Sequence, residues 1–218
     1  MSFRPLIVAS AVVAGGMALV SAIALSRLPP GAMLPTHWNA AGQADGFAEA
    51  SHALFLPVVL TIAVSVIMAI LPRIEPLQHD LAGSAALLRT VWAGLLALFI
   101  GVEAMVAGPV LGWTPPATLI PVAMGVLLIA IGNMLPKSRP GFFIGIRTPW
   151  AIIDTDNWVA THRLGGWMFA GAGAVVILTT LLPIGDDIKT PVVLTALLGA
   201  TLTPILFSYV HWRVRRPH

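Results

Sequence analysis

Glu103 is the first candidate functional residue, because it is an ionisable side chain inside an otherwise apolar stretch. It follows Arg89 by 14 positions, which corresponds to ~21 Å along an α-helix. A carboxylate inside a bilayer is costly unless it is paired, protonated or hydrated. Two interpretations follow: a polar pocket that binds a peptide or an ion, or a hydrogen-bonded side chain that fixes helix packing.

The segment 27–52 holds the polar residues that could act together with Glu103. Asn39 and Asp45 are turn-forming residues, because Asn and Asp tolerate left-handed backbone and hydrogen-bond their own backbone, so we expect a folded segment. It is either a compact loop on the helix ends or a recognition surface, and from it Arg27, His37 and His52 could reach Glu103. The predicted ligand-binding residues on this side are His37, Asn39, Asp45, His52 and Glu103.

The segment 137–163 is the second candidate region. Its run 142–146 is too apolar for a solvated loop and too short to span a bilayer, so we expect it to lie at the interface or to fold back against helix ends. Asp154 or Thr155 is expected to cap the following helix. On that helix Trp158, Thr161 and His162 share one face, because they are spaced i, i+3 and i+4.

Arg147 stands among apolar residues of this segment and must pair or face water. We expect it to tie the loop to Asp154 or Asp156. The alternatives are contact with a lipid phosphate or with a protein partner.

His162 admits three roles: a pH switch, a metal ligand or a structural residue hydrogen-bonded to Asn133, to a loop carbonyl or near Trp158. The six histidines form no pair at helical spacing, and no His-Glu-x-x-His string occurs. We therefore predict no metal and no other cofactor. With no catalytic motif in the sequence, we do not expect an enzyme.

The composition places these residues in a membrane protein. Of the 218 residues, 57% are hydrophobic and 10% are charged, whereas soluble domains are ~45–50% apolar and ~25% charged. So few charges cannot cover a surface that faces water. A soluble enzyme, a disordered protein and a protein that binds nucleic acid directly are therefore excluded.

Six apolar stretches are each long enough to cross a bilayer, which takes ~20 helical residues. We predict an all-α, polytopic integral membrane protein with six transmembrane helices that form a single membrane domain, residues 1–218. Glycines 165, 166, 171 and 173 are expected to let the fifth helix pack closely. The expected spans are 5–26, 53–72, 90–108, 117–136, 164–185 and 190–210, with an outer loop 27–52 and a cytoplasmic loop 137–163.

The basic residues predict the orientation. With the N-terminus inside, only Arg27 and Lys189 fall on the outer side, and the other ten of the 12 Lys and Arg residues lie on the inner side. The positive-inside rule then places both termini in the cytoplasm. The lipid bilayer is thus the first predicted partner.

Three strings of this sequence resemble the SdpI-like bacterial immunity proteins. They are GNMLPK at 132–137, GIRTPW at 145–150 and WVATHR at 158–163. The earlier string LPTHWN at 34–39 resembles a loop found near the N-terminus of many members. Gly141 departs from the pattern, because a polar residue is expected at that position.

The resemblance implies a multi-pass protein of the bacterial inner membrane that protects its cell from a secreted peptide toxin. It further implies that, when toxin is present, the protein holds a small winged-helix repressor at the membrane. The residues predicted to bind this partner from the cytoplasmic side are Asn133, Arg147, Trp150, Trp158, Thr161, His162 and Arg163.

Two other classes of function remain open. One is a small transporter or exporter with a polar site at Glu103, to which a faint internal repeat of three spans would correspond. The other is a membrane metalloenzyme that uses His37, Glu103 and His52.

Overall fold

The structure is a computed structural model and describes residues 3–39, 43–77 and 81–215. Within these residues a β hairpin interrupts a series of α-helices. The elements are α1 (Arg4–Leu25), β1 (Met33–Trp38), β2 (Ala44–Glu49), α2 (Ala50–Ile74), α3 (Leu81–Ala107), α4 (Leu119–Met134), α5 (Pro149–Ile153), α6 (Thr155–Leu181) and α7 (Asp186–Arg215). Short 3-10 turns at Pro109–Leu111 and Leu135–Lys137 follow α3 and α4.

Six helices of the described chain are long and apolar enough to cross a bilayer, which confirms the predicted polytopic all-α fold. Their ends differ from the predicted ones: the third begins at Ala82 instead of residue 90, and the fifth at Thr155 instead of residue 164. A search of the sequence for apolar stretches finds only the part of a helix that lies in the hydrocarbon core of the bilayer. Backbone hydrogen bonds and helix caps extend the helix beyond that part into polar sequence. The spans are Arg4–Leu25, Ala50–Ile74, Ala82–Ala107, Leu119–Lys137, Thr155–Leu181 and Asp186–Arg215.

The described residues of the segment 27–52 are folded, as predicted, and they contain an antiparallel hairpin. β1 pairs with β2, and the register shifts on both sides of His37. Pro35 is tolerated within β1 because each strand of a two-stranded sheet has a free edge. The backbone N–H of Ala50 donates to the carbonyl oxygen of Ala32 at 2.8 Å, which joins the hairpin to the first turn of α2.

The described residues pack as two compact units. The hairpin unit comprises residues 3–39, 43–69 and 92–123, and the C-terminal unit comprises residues 70–77, 81–91 and 124–215. The helices α2, α3 and α4 each contribute to both units. A single membrane domain stays a prediction for the whole chain.

Small side chains form the core of the hairpin unit. Ala24 and Leu54 are fully buried, and Ala53 lies beside them. Small residues let helix backbones approach closely in lipid, where the hydrophobic effect does not drive helices together. A buried hydrogen bond adds to this packing, because Trp92 Nε1 donates to Ser10 Oγ at 2.9 Å.

In the C-terminal unit, α4 and α6 touch backbone to backbone. A Cβ added to Gly132 would lie 2.6 Å from the carbonyl oxygen of Gly166, and one added to Gly166 would lie 2.7 Å from that of Gly132. Gly125 and Gly173 make a second close contact between the same helices. Close packing is therefore confirmed at Gly166 and Gly173, whereas a Cβ at Gly171 would meet nothing within 4 Å.

Candidate functional site

Residues 138–148, which we name the signature loop, fold back against the helices of the C-terminal unit. Gly145 lies at the point of closest approach and has a positive φ of 110°. A Cβ there would lie 2.5 Å from His162 Nε2 and 2.9 Å from Trp158 Cη2. Glycine suits this position for two reasons, because it accepts the left-handed backbone and leaves room for both rings. The expectation that the run 142–146 folds back is confirmed.

His162 links the signature loop to α6 through its two ring nitrogens. Its Nδ1 lies 2.8 Å from the carbonyl oxygen of Trp158, and its Nε2 accepts the backbone N–H of Ile146 at 2.8 Å. A neutral imidazole with its proton on Nδ1 satisfies both bonds. The ring also stacks on the Trp158 indole with centroids 3.9 Å apart. This geometry supports the structural role for His162, with a loop N–H and a helix carbonyl as its partners.

Glu75, just beyond the end of α2, holds the same loop from another side. Its Oε1 accepts the backbone N–H of Phe142 at 2.8 Å and that of Leu77 at 3.2 Å, and its Oε2 accepts the N–H of Phe143 at 3.0 Å. The side chain is 3% exposed. Hydrogen bonds to an ionised carboxylate are stronger than neutral ones, so Glu75 is a clamp for the apolar tip of the loop.

Two further contacts fix the start of the signature loop. Ser84 on α3 accepts the backbone N–H of Arg139 and donates to its carbonyl oxygen, both at 3.0 Å. Trp158 Nε1 donates to the carbonyl oxygen of Ser138 at 3.2 Å. Loop backbone that is buried at a helix end is thereby hydrogen-bonded, as burial requires.

A closed network of polar side chains fixes the end of the loop. Asn157 Oδ1 accepts from Thr161 Oγ1 at 2.9 Å and from Ser208 Oγ at 2.8 Å, while Asn157 Nδ2 donates to the carbonyl oxygen of Ser208 at 2.9 Å. Thr148 Oγ1 lies 2.7 Å from Ser208 Oγ and also accepts the N–H of Ala151, which caps α5. Because Ser208 gives its hydrogen to Asn157, Thr148 is the donor in the Thr148–Ser208 pair.

Six of the seven residues predicted to bind a cytoplasmic partner divide into two groups. Trp158, Thr161 and His162 share one face, as predicted, but all three are fully buried, so they support the loop and do not form its surface. Asn133, Arg147 and Arg163 are exposed, and partner binding through them stays a prediction.

The expected tie between Arg147 and an aspartate is not found among the described residues. Asp154 caps α6 by accepting the N–H groups of Asp156 and Asn157, as predicted for the cap. Asp156 instead pairs with Arg215 Nη2 at 2.8 Å. The prediction for Arg147 was wrong because Arg215 in the last turn of α7, 59 residues away, is the cation that reaches Asp156.

Trp150 is half-buried in an aromatic cluster. Its ring centroid lies 5.2 Å from that of Tyr209 and 5.9 Å from that of Trp212. Its Nε1 is buried with no hydrogen-bond partner among the described residues. The indole thus serves as a packing anchor for the short helix α5.

In the hairpin unit, the contacts of the described residues join only some of the predicted ligand-binding residues, and ligand binding by them stays a prediction. His37 Nδ1 and Asp45 Oδ1 are 2.5 Å apart, which joins the two strands on an exposed surface. Asn39 Oδ1 accepts the backbone N–H of Gln43 at 3.0 Å, as expected for a turn residue. His52 is exposed on α2, and no contact between described residues joins a histidine or Arg27 to Glu103.

Glu103 is instead held inside the hairpin unit by Ser21. Ser21 Oγ lies 2.8 Å from Glu103 Oε1 and 2.9 Å from the carbonyl oxygen of Leu54. A hydroxyl has one hydrogen, so these two acceptors share it. Glu103 Oε2 is buried and has no hydrogen-bond partner within the described chain. The carboxyl group therefore fixes packing between α1 and α3, as one interpretation predicted, and keeps unused acceptor capacity.

A cleft of about 340 Å³, which Glu103 helps to line, lies between α1 and α3. Val13, Gly16 and Met17 form part of one wall, and Ile100 and Trp113 form part of the other. Glu103 is the one ionisable residue among the described residues that line the cleft. Within the described residues there is also no group of three or more His, Asp or Glu side chains that could hold a metal ion.

Sequence reasoning missed the residues that act at long range. Glu75, Ser84 and Ser208 contact the signature loop from positions more than 50 residues away. Glu75 had one visible signal, since it is an acidic residue directly after an apolar span. The serines had none, because a lone serine in an apolar helix equally suits an intrahelical hydrogen bond.

Comparison with known proteins gives two matches to protein families. Residues 137–208 match the SdpI/YfhL protein family, and residues 12–62 match a domain of unknown function, DUF1648. No curated protein and no solved structure matches the chain. The first match covers the signature loop, α5, α6 and most of α7, and the second covers most of α1, the hairpin and the first half of α2. Together they confirm the resemblance seen in the sequence: this membrane protein is similar to the SdpI/YfhL family over residues 137–208.

Proposed function

We propose that this chain protects its cell from a secreted antimicrobial peptide as an immunity protein of the bacterial inner membrane. The observation that carries the proposal is the SdpI/YfhL match over residues 137–208. The positive-inside count adds the expected orientation, with both termini in the cytoplasm. The hairpin with His37 and Asp45 would then face the outside, where the peptide arrives.

The geometry of the signature loop supports a binding function. The polar side chains of this region, Glu75, Asn157 and His162 among them, are occupied by hydrogen bonds to the loop or to neighbouring helices. The loop they hold presents Phe142, which is 50% exposed, and Arg147 to its surroundings. A pre-ordered surface with an aromatic and a cationic group suits protein recognition, because little entropy is lost when it binds.

The test of immunity is heterologous expression in peptide-sensitive cells. The challenge is a purified peptide toxin against which another SdpI-like protein protects. We expect survival with the wild-type chain, loss of survival with Glu75→Ala and survival with Glu49→Ala, the matched control at an exposed carboxylate. Immunoblots of membrane fractions establish equal amounts of each variant. The proposal is contradicted if cells that express the wild-type chain are killed at the same dose as cells without the protein.

We further propose that the exposed residues Asn133, Arg147 and Arg163, together with the half-buried Trp150, contact a small winged-helix repressor in the cytoplasm. Such signalling requires two arrangements of the protein that the outside ligand distinguishes. The test is a pull-down from cytoplasm identified by mass spectrometry. We expect a winged-helix protein with the wild-type chain and with Arg27→Glu, but not with Arg147→Glu. Recovery by all three proteins contradicts the role of Arg147.

A small transporter is the second candidate function, and one observation favours it. Glu103 helps to line a cleft between two spans, and its Oε2 is a buried acceptor without a partner within the described chain. Intramembrane carboxyl groups of this kind mark substrate and ion pathways in many membrane proteins. Substrate uptake into proteoliposomes that Glu103→Gln abolishes would support transport, and uptake equal to that of empty liposomes would contradict it.

A further inference from the structure

We propose that the cleft between α1 and α3 binds a lipophilic molecule that carries one ammonium group, and that Glu103 pairs with this group. The site lies within the hairpin unit and outside the SdpI/YfhL match. The proposal therefore stands or falls independently of immunity and of the cytoplasmic partner.

The first argument is the unmet hydrogen-bonding capacity of Glu103. The residue is 4% exposed, and its Oε2 atom is buried. Its Oε1 shares the single Ser21 hydrogen with the carbonyl oxygen of Leu54, and its Oε2 has no partner among the described residues. A carboxyl group of this kind has an unused acceptor oxygen, and an ammonium group supplies three N–H donors and one positive charge.

The second argument is the chemistry of the cleft walls. Apart from Glu103, the described residues that line the cleft are apolar or glycine, including Val20 and Leu111. The volume of about 340 Å³ lies in the range of small-ligand sites, which are mostly apolar with a few placed polar groups. An apolar body with one cationic head therefore matches this site, whereas a polar or polyanionic ligand does not.

The third argument is access. α1 and α3 are both spans of bilayer length, and Val12 and Leu19 near the cleft residues of α1 are exposed to the surroundings of the protein. Gly16 contributes to the cleft, and a Cβ there would meet nothing within 4 Å. The gap at Gly16 is thus open, so a lipophilic molecule that partitions into the bilayer can enter from the side.

The test is equilibrium dialysis of tritiated 1-naphthylmethylammonium against the full chain in nanodiscs, with binding to empty nanodiscs subtracted. We expect one saturable site on the wild-type protein. The neutral analogue 1-naphthalenemethanol has the same apolar body without the charge and should compete poorly. Glu103→Gln keeps the shape and one acceptor oxygen but removes the charge, so binding should weaken roughly 10- to 150-fold, the value of one charge-assisted hydrogen bond.

The two adjacent glycines of α1 provide a matched pair of variants. Gly16→Leu fills the cleft and should abolish binding. Gly15→Leu adds the same side chain at a position that does not line the cleft and also meets nothing within 4 Å, so binding should persist. Equal thermal unfolding of the variants establishes that they are folded.

Three outcomes overturn the proposal. The first is the absence of saturable binding to the wild-type protein, as expected when a lipid chain fills the cleft. The second is equal affinity of wild type and Glu103→Gln, which means that Glu103 only fixes packing. The third is an equal effect of Gly15→Leu and Gly16→Leu, which places the site elsewhere.

Discussion

Replacement of Glu75 by Gln tests whether the signature loop is held by a carboxylate clamp. The carboxylate receives the N–H groups of Phe142 and Phe143 on separate oxygens. A Gln side chain keeps one acceptor oxygen and puts an NH₂ donor opposite the other amide, so at least one buried N–H loses its partner. Hydrogen bonds to charged groups contribute about 1.5–3 kcal/mol each, and the remaining bond also loses its charge assistance. The local opening free energy of the loop should fall by about 2–4 kcal/mol.

Hydrogen exchange of the amides of Phe142 and Phe143 measures this change directly. A fall of about 2–4 kcal/mol corresponds to exchange that is roughly 30- to 1,000-fold faster, since ~1.4 kcal/mol equals a factor of ten. The amide of Ile146, which His162 holds, should change less. Glu49→Gln is the control and should leave all three amides unchanged. Unaltered protection of Phe142 and Phe143 in Glu75→Gln would refute the clamp.

Two further variants test the packing of the C-terminal unit. Gly166→Ala should lower the thermal unfolding midpoint in nanodiscs by several degrees, because its Cβ would lie 2.7 Å from the Gly132 carbonyl oxygen. Gly171→Ala on the same helix should be neutral or stabilising, because its Cβ would meet nothing within 4 Å. Equal midpoints for the two variants would contradict the close contact of α4 and α6. Asn157→Leu should cost about 2–4 kcal/mol in the free energy of unfolding in mixed micelles, because the network around Ser208 loses its central acceptor, and a cost below ~0.5 kcal/mol would show that the network adds no stability.

The membrane fold could be predicted from the sequence because the bilayer imposes a length on each apolar segment. The shared face of Trp158, Thr161 and His162 could also be predicted, since helical spacing determines which side chains share a face; that this face is buried was not predicted. The cap at Asp154 is a local property of the same kind. Each of these predictions depends on residues that are neighbours in the sequence.

The polar contacts between distant segments could not be predicted. Glu75 and Phe142 are separated by 67 positions, and Ser21 and Glu103 by 82. Several cations could have satisfied Asp156, and only the packing of α6 on α7 selects Arg215. The hairpin was missed as a pair of strands because each strand has six residues, and Pro35 within β1 weakens the alternating pattern.

The signature loop has a mechanical consequence for the C-terminal unit. Its backbone and its Thr148 are bonded to α2 through Glu75, to α3 through Ser84, to α6 through His162 and to α7 through Ser208. Hydrogen bonds weaken steeply as their geometry departs from linearity and short distance, so no one of these helix ends can tilt alone without loss of such a bond. The loop thus couples these four helices, so that a displacement of one of them strains the bonds that the loop makes to the other three.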